Sequence, residues 1–243
     1  MSDIDTVLDV TDLRKSFGDV TVLTGVSLQA QPDTVTCLIG PNGSGKTTFL
    51  SIVAGLIEAD TGTIDRPSVG GRPVGYLPQR PAFRSGFSVR ETLQFYAQLV
   101  PEAVDVEAIL DRVGLDAVAD RRVEHLSGGM TRLLGLAQAT VGQPPLLVLD
   151  EPASGLDPQL RRHIAAVIAA LATDGTAVMV ATHDLVATDR IADAVRVLDG
   201  GSFVAAGSPD ELRAETGAES LDSVLDAVVT RDASIGVRSG VGN

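Results

Sequence analysis

Nine consecutive residues in the first quarter of the chain are suited to binding phosphate. They fit the pattern G-x-x-x-x-G-K-[ST], between a strand predicted over Val35–Ile39 and a helix predicted over Thr47–Ala54. Glycines let the backbone bend so that successive N–H groups face one anion, and the start of the helix adds partial positive charge. We expect Lys46 to bridge the β- and γ-phosphates of a nucleotide and the Thr47 hydroxyl to bind Mg²⁺. The candidate binding residues are Gly40, Pro41, Asn42, Gly43, Ser44, Gly45, Lys46, Thr47 and Thr48.

A second group of reactive side chains follows another apolar strand. Leu146–Leu149 is predicted to be a buried strand, and Asp150 and Glu151 come directly after it. In phosphate-loop enzymes an acid at the end of such a strand holds Mg²⁺, and this is the role predicted for Asp150. Glu151 is then placed to act as a general base towards the attacking water. Together with the phosphate loop, the two carboxylates predict nucleotide hydrolysis.

One histidine is placed where a ligand would bind. His183 follows the predicted strand Ala177–Ala181, at the end where ligands bind in parallel sheets, which favours a contact with the γ-phosphate. His125 and His163 have no comparable position, and no histidine has metal-ligand spacing, so a zinc site is not expected. The single cysteine, Cys37, lies in an apolar strand and is interpreted as a core residue.

Positioning these side chains requires a sheet that brings several strand ends to one edge. Strand and helix patterns alternate over most of the chain, which indicates a parallel sheet covered on both faces. The predicted strands are Val7–Val10, Val26–Ala30, Val35–Ile39, Leu146–Leu149, Ala177–Ala181 and Ala194–Leu198. The predicted helices of this part are Thr47–Ala54, Pro158–Ala172 and Leu185–Ile191.

Between Phe87 and Gly142 the alternation stops, and three helices are predicted there from 3.6-residue spacing. They are Val89–Leu99, Val104–Val113 and Gly129–Val141. The first thirty residues and Gly62–Ile64 indicate a β layer at one edge. Beyond Pro209 the pattern predicts two short helices and then a frayed Gly/Ser-rich end. Those two helices are Asp210–Glu215 and Leu221–Val229.

The composition excludes several classes of protein. With 44% hydrophobic and 21% charged residues the chain is globular, and no apolar run approaches the roughly 18–20 residues that span a bilayer. Its first residues are acidic rather than basic, unlike a signal peptide, and a single cysteine fits a reducing cytoplasm. The formal net charge of −13 disfavours nucleic-acid binding. The acidic, lysine-poor surface suggests salt adaptation as a hypothesis, although high genomic GC content would also replace Lys with Arg.

The segment Leu126–Met130, which reads Leu-Ser-Gly-Gly-Met, distinguishes among the many NTPase families. Gly128 and Gly129 open a predicted helix and offer free N–H groups to an anion. The motifs occur in the order phosphate loop, Gln79, Leu-Ser-Gly-Gly, Asp-Glu, Ser154–Asp157 and His183. This order resembles that of the ABC ATPases over almost the whole chain. This resemblance implies a P-loop NTPase fold with a RecA-like, mostly parallel sheet, an N-terminal antiparallel β layer and an inserted helical subdomain.

The resemblance also implies domain limits. Residues 1–243 would form one ABC-type nucleotide-binding domain, with an α/β core over residues 1–86 and 143–208. The helical subdomain would cover residues 87–142, and the C-terminal helices and tail would cover residues 209–243.

Further residues receive roles from the resemblance alone. Ser127, Gly128 and Gly129 would contact the γ-phosphate held by a second ATPase subunit, so that two ATP molecules are enclosed head-to-tail in a dimer. Asp157 would cross the dimer interface. Phe17, in Lys-Ser-Phe-Gly, would stack on adenine, although a core position would also explain it.

Gln79 is the residue that would link the two parts of the domain. The resemblance implies that it reaches Mg²⁺ and assists hydrolysis, while connecting the site to the helical subdomain. That subdomain would bind a transmembrane permease on a separate chain. Phe83, Phe87 and Tyr96 would line the docking surface, or else belong to the core.

Two hypotheses for the function follow. Met130, where the family most often has Gln, and the tail Leu221–Leu225 are similar to stand-alone ATPases of multidrug, copper-processing and polysaccharide exporters. The leading hypothesis is therefore an ATP-hydrolysing subunit of an exporter, peripheral on the cytoplasmic face of the membrane, paired with a second copy or a paralogue. The alternative is a soluble assembly ATPase, such as those that build iron–sulfur clusters.

Overall fold

The computed structural model of the protein describes residues 6–68, 71–173 and 175–238 and contains two β-sheets surrounded by helices. In chain order its elements are β1 (Leu8–Phe17), β2 (Val20–Ala30), β3 (Val35–Ile39), α1 (Lys46–Val53), β4 (Thr61–Asp65), β5 (Val74–Leu77), α2 (Val89–Ala97), α3 (Val106–Val113), α4 (Gly128–Thr140), β6 (Leu146–Asp150), α5 (Pro158–Leu171), β7 (Ala177–Ala181), α6 (Leu185–Ile191), β8 (Ala194–Asp199), β9 (Ser202–Gly207), α7 (Pro209–Thr216) and α8 (Leu221–Arg238).

The larger sheet has six strands in the order β5-β6-β7-β3-β8-β9. Every neighbouring pair is parallel except β8 and β9, which form an antiparallel hairpin. Because β3 lies beside β7, and β7 beside β6, the carboxyl ends of these three strands meet at one edge. The predicted mostly parallel sheet is confirmed, and it brings together the chain segments that carry the phosphate loop, the two carboxylates and His183.

The parallel strands are buried on both faces, and their side chains alternate between two cores. In β3, Cys37 packs into the core beneath α2–α5, whereas Leu38 packs into the core formed with α1 and the smaller sheet. In β7, Val180 packs into the first of these cores and Met179 packs into the second. This period-2 alternation explains why the strands read as continuous apolar runs. The buried position of Cys37 raises the pKa of its thiol to about 12, which agrees with its interpretation as a core residue.

The predicted β layer at the edge forms a separate antiparallel sheet in the order β2-β1-β4. Its inward residues Leu8, Leu13 and Leu23 are fully buried against α1, while charged and polar residues face outward. Both β1 and β2 extend well beyond the predicted strands, because the hairpin that joins them continues to Phe17 and Val20. This hairpin carries Phe17 to the edge where the phosphate loop lies.

The predicted helical insertion forms between β5 and β6 as α2, α3 and α4. Ser88 and Glu91 make a capping box at the start of α2, and the Asp105 carboxylate caps α3. Short polar residues therefore set where these helices begin. The limits of the helical subdomain at residues 87 and 142 stay a prediction.

Two strands of the larger sheet were not predicted. β5 is only four residues long and contains a glycine, so its sequence carries little β signal. Gly75 is needed there because a Cβ atom at this position would lie 2.1 Å from the Ala139 carbonyl oxygen. β9 is an edge strand whose residues are only partly buried, and its register with β8 is irregular.

The C-terminal helices also differ in part from the prediction. α7 forms as expected, capped by Ser208 and Glu211, but α8 runs to Arg238 rather than ending at Val229. The rest of the predicted frayed end, residues 239–243, lies outside the described residues. Within the described ranges, no helix is both long and apolar enough to cross a bilayer.

Candidate functional site

A cleft of about 410 Å³ opens at the edge where β3 and β6 end. It is lined by residues from the β1–β2 hairpin, the phosphate loop, the segment after β5 and the end of β6: Phe17, Val22, Asn42, Gly43, Gly45, Lys46, Thr47, Thr48, Gln79, Asp150 and Glu151. A groove of similar size, about 370 Å³, lies between α5 and α6 but contains none of the predicted phosphate-binding or hydrolytic residues. The cleft at the strand ends is therefore the candidate site.

The phosphate loop has a backbone that only glycine can provide. Gly40 has φ +146, and a Cβ atom there would lie 2.0 Å from the Leu198 carbonyl oxygen. Gly45 has φ +107 and is the residue from which α1 begins. The Ser44 hydroxyl is buried and has no hydrogen-bond partner among the described residues. Such a loop leaves N–H groups and one hydroxyl available to an anion.

Lys46 is held inside this loop. Its Nζ donates to the carbonyl oxygens of Gly40, at 2.8 Å, and Pro41, at 2.9 Å. Burial lowers the pKa of the ammonium, and the nearby carboxylates of Glu151 and Asp150 partly oppose that shift. The side chain is thus a cation placed between a phosphate-binding backbone and two acids, a position suited to bridging phosphate oxygens.

Asp150 lies at the end of β6, only 1% exposed. Its Oδ1 accepts a hydrogen bond of 3.3 Å from the Thr47 hydroxyl. Burial raises the pKa of this carboxyl, and Glu151 adds to the rise, whereas the Thr47 hydrogen bond, Lys46 and Arg132 lower it. Together with Gln79, which also lines the cleft, these residues carry the hard oxygen donors that Mg²⁺ prefers.

Glu151 has an uncommon backbone conformation and lies against His183. It has φ +50, a left-handed conformation that is uncommon outside glycine, and its N–H donates to the Ala181 carbonyl oxygen at 2.9 Å. Its side chain is mostly buried, and Oε2 lies 2.8 Å from Nδ1 of the largely exposed His183 without being aligned for a hydrogen bond. Local backbone strain of this kind is frequent at functional sites. The two predicted hydrolytic residues are therefore in contact.

The predicted adenine contact, Phe17, lies at the mouth of the cleft and is 52% exposed. The alternative reading of Phe17 as a core residue does not hold. The Lys15 Nζ lies 5.3 Å from the centre of its ring, while also pairing with Asp60. An exposed aromatic face beside the phosphate loop is suited to stacking on a base.

Eight predicted site residues are not among those that line the cleft. Gly40, Pro41 and Ser44 belong to the phosphate loop itself, and His183 contacts the lining residue Glu151. The other four lie at two helix starts. Ser127, Gly128 and Gly129 lie at the start of α4, and Asp157 lies at the start of α5. The Ser127 hydroxyl accepts from the Met130 N–H at 3.2 Å, and Asp157 Oδ1 accepts from two N–H groups of its own helix. These side chains therefore cap their helices within this chain.

The two helix starts adjoin each other at the surface. Gly128 has open space where a Cβ would stand, whereas a Cβ at Gly129 would lie 1.9 Å from Leu160 Cδ2 on α5. We refer to α4, which begins within the Leu-Ser-Gly-Gly segment, as the signature helix. Its start is packed on α5 next to Asp157. This surface and the nucleotide cleft are separate within a single chain.

Sequence reasoning missed Arg132. This half-buried residue on α4 donates to the carbonyl oxygen of Gln79 and, at 3.4 Å, to that of Pro78. Helical spacing could have indicated that Arg132 lies near the predicted site. Arg132 is four residues beyond Gly128 and three beyond Gly129, and therefore on the same side of α4.

Residues 23–154 match the family model described as ABC transporter, which is more than half of the chain. The chain belongs to the ABC transporter family. An ABC ATP-binding subunit of this kind binds and hydrolyses ATP, so the predicted enzymatic activity is confirmed at the level of the family.

Two curated relatives are similar over most of their length. The Nod factor export ATP-binding protein I of Rhizobium etli is 34% identical over 221 residues, which are 85% of this chain and 70% of that protein. The daunorubicin resistance ATP-binding protein DrrA3 of Streptomyces coeruleorubidus is 34% identical over 237 residues, 91% of this chain and 74% of that protein. Both names describe subunits of transport or resistance systems, and neither supports the iron–sulfur alternative.

A solved structure described as the ATP-binding subunit of an ABC transporter superposes with a TM-score of 0.82 at 26% identity, covering 92% of this chain and 99% of that one. The predicted P-loop NTPase fold class is thereby confirmed.

Proposed function

We propose that this ABC ATPase powers an exporter whose transmembrane permease is a separate chain, and that it works as a dimer on the cytoplasmic face of the membrane. The observation that carries this proposal is the separation of the nucleotide cleft from the surface formed by Ser127, Gly128 and Asp157. An ATP molecule in the cleft of one chain leaves the signature helix of that chain free to meet the ATP of another. The similarity to a Nod factor export protein supports export rather than import.

We assign the binding of ATP to the phosphate loop and Phe17. Backbone N–H groups of the loop and Lys46 would hold the phosphates, while Phe17 stacks on adenine. Thr47, Asp150 and Gln79 would hold Mg²⁺, which when bound neutralises phosphate charge. Asp150 must be ionised for this role. Burial raises the pKa of its carboxyl, and the Thr47 hydroxyl and Lys46 oppose that rise by favouring the charged form.

The hydrolytic step is assigned to Glu151 and His183. Glu151 would accept a proton from the attacking water, since its carboxylate is nearly buried at the open end of β6. His183 contacts that carboxylate and would orient it, and its exposed ring would contact the γ-phosphate. The left-handed backbone of Glu151 holds the carboxylate in this position.

Dimerisation would complete the site. Gly128 and Asp157 are exposed, and the start of α4 would approach the γ-phosphate bound by the partner subunit, with Asp157 beside it. Closing and reopening of the dimer would be transmitted to the permease through residues 87–142. The partly exposed aromatic residues Phe87 and Phe95, which pack edge to face, are suited to a protein contact there.

The test uses ATP-dependent dimerisation of a variant that binds but does not hydrolyse ATP. In the Glu151→Gln background we expect ATP with Mg²⁺ to convert monomer to dimer, measured by size-exclusion chromatography with light scattering. Adding Ser127→Arg should leave the affinity of the monomer for a fluorescent ATP analogue unchanged and abolish the dimer. Thr173→Arg, an exposed change beyond the far end of α5, is the matched control and should still dimerise.

Two outcomes would contradict the head-to-tail arrangement: a dimer that survives Ser127→Arg, or loss of ATP affinity in the monomer of that variant. Since Ser127 caps α4, thermal melting must first show that the variant remains folded. The permease is tested by purifying the tagged chain from its native host in detergent. Recovery of an integral membrane protein is expected, and recovery of soluble proteins alone would contradict the transporter proposal.

A further inference from the structure

The segment that carries Gln79 packs closely against the signature helix α4. A Cβ on Gly135 would lie 2.5 Å from Leu77 Cδ1 and 3.1 Å from Pro81 Cβ, so the helix can approach only because this residue is glycine. Arg72, just before β5, donates at 2.9 Å to the carbonyl oxygen of Gln138. These contacts place α4 against both sides of Gln79 in the chain.

Arg132 is the side chain on α4 that reaches Gln79 itself. One guanidinium nitrogen, Nη1, lies between the carbonyl oxygens of Pro78 and Gln79 and donates to both. The contact is to the backbone of Gln79 and does not engage its side-chain amide. Gln79 lines the cleft together with Asp150 and Glu151. Because α4 begins at Gly128, this bond lies about one helical turn from the signature glycines.

The guanidinium is also close to the hydrolytic carboxylates. Burial lowers the pKa of Arg132, and the negative charges of Glu151 and Asp150 oppose that shift. Burial raises the pKa of Asp150, and the positive charge of Arg132 partly opposes that rise. A half-buried arginine in this place therefore touches the Gln79 backbone and acts electrostatically on both acids.

We propose that Arg132 is a positioning residue for ATP hydrolysis that ties Gln79 to the signature helix. When the start of α4 moves to contact a γ-phosphate, the Arg132 guanidinium transmits this movement to the Gln79 backbone and so to the Gln79 side chain. The signature helix and Gln79 thus respond as one unit within the same chain. This inference rests on the proposed function of the cleft, and it adds a residue to which no role was assigned there.

The experiment is a double-mutant cycle between Arg132→Gln and Gln79→Ala, read as kcat and KM for ATP. Gln79→Ala keeps the carbonyl oxygen that Arg132 contacts, so it removes the amide alone. We expect Arg132→Gln to lower kcat about 10- to 100-fold, the range for losing a charge-assisted hydrogen bond, with KM nearly unchanged. The double variant should be no slower than Gln79→Ala, because Arg132 acts through that side chain.

Two further variants separate positioning from charge and from folding. Arg132→Lys keeps the positive charge but not the planar fork, and we expect it to remain impaired. Arg162→Gln removes an equal charge from an exposed position on α5 and should leave kcat unchanged. Thermal melting reports whether each variant folds.

Several results would overturn the proposal. Multiplicative effects in the cycle would show that Arg132 does not act through Gln79, and full rescue by Arg132→Lys would show that charge alone matters. Near wild-type kcat in Arg132→Gln would also refute it. If the wild-type chain itself failed to hydrolyse ATP, the proposed function would fail instead, so the two failures are distinguishable.

Discussion

Replacing Glu151 by glutamine tests the assignment of the general base most directly. Glutamine keeps the size of the side chain and removes only its charge and proton affinity. Glycine would be a poor choice, because Glu151 has φ +50 and glycine would also relieve the backbone strain. The change therefore alters proton transfer while the fold around the end of β6 is preserved.

The expected magnitude follows from the position of the carboxylate. Glu151 is nearly buried and 2.8 Å from His183, so in the described part of the chain it is the acid best placed to receive a proton from water in the cleft. A positioned general base contributes about 10²–10⁴-fold to a rate. At about 1.36 kcal/mol per decade, the barrier should rise by about 2.7–5.4 kcal/mol. Affinity for ATP should not fall, since the phosphate loop is unchanged.

The assay is steady-state phosphate release by the purified chain, with ATP binding measured separately by a fluorescent analogue. Glu58→Gln is the matched control, because it removes an exposed carboxylate far from any predicted role. We expect Glu151→Gln to bind ATP normally and to lose at least 99% of kcat, which corresponds to about a 10²-fold effect. If Glu151→Gln hydrolysed ATP at near wild-type rate, the general-base assignment would be refuted. The inference that drew this role from the position of Glu151 at the end of a strand would then fail as well.

Four further outcomes are expected. Gly40→Ala should weaken ATP binding at least about tenfold, because its methyl group would overlap the Leu198 carbonyl oxygen and force the loop to move. The control for the binding titration is Gly86→Ala, since an added methyl group there meets no atom within 4 Å. Asp150→Asn should abolish hydrolysis yet leave the ligand-free protein equally or more stable at pH 7. The pKa of Asp150 is raised in the folded protein, so ionising this carboxyl lowers the stability of the fold as the pH rises above the ordinary pKa of 3.8. Comparing the melting temperatures of the wild type and the variant at pH 7 tests this expectation. Phe49→Ala should destabilise the fold by about 3–5 kcal/mol in urea titrations, since the ring is fully buried between α1 and the sheets. If the net charge of −13 is a salt adaptation, hydrolysis should persist in molar potassium chloride, and activity that peaks at low salt and is lost there would contradict the hypothesis.

The sequence determined the parts of this protein that depend on short segments. Steric rules for glycine, the fixed spacing of Lys46 and Thr47, and the apolar run before Asp150 each specify a local conformation and a chemistry. The rule that parallel strands share a carboxyl edge was enough to place His183 near the same site. Apolar periodicity likewise located the three inserted helices to within a few residues.

The tertiary structure decided what joins these segments. The close approach of His183 to Glu151 depends on β6 and β7 being neighbours, which no local pattern specifies. β5 was overlooked because its four residues become a strand only through pairing with β6 and packing against α4. The reach of Arg132 to the Gln79 carbonyl has the same origin. Such contacts join residues far apart in the chain, so their energies depend on the order of strands and the packing of helices rather than on neighbouring residues.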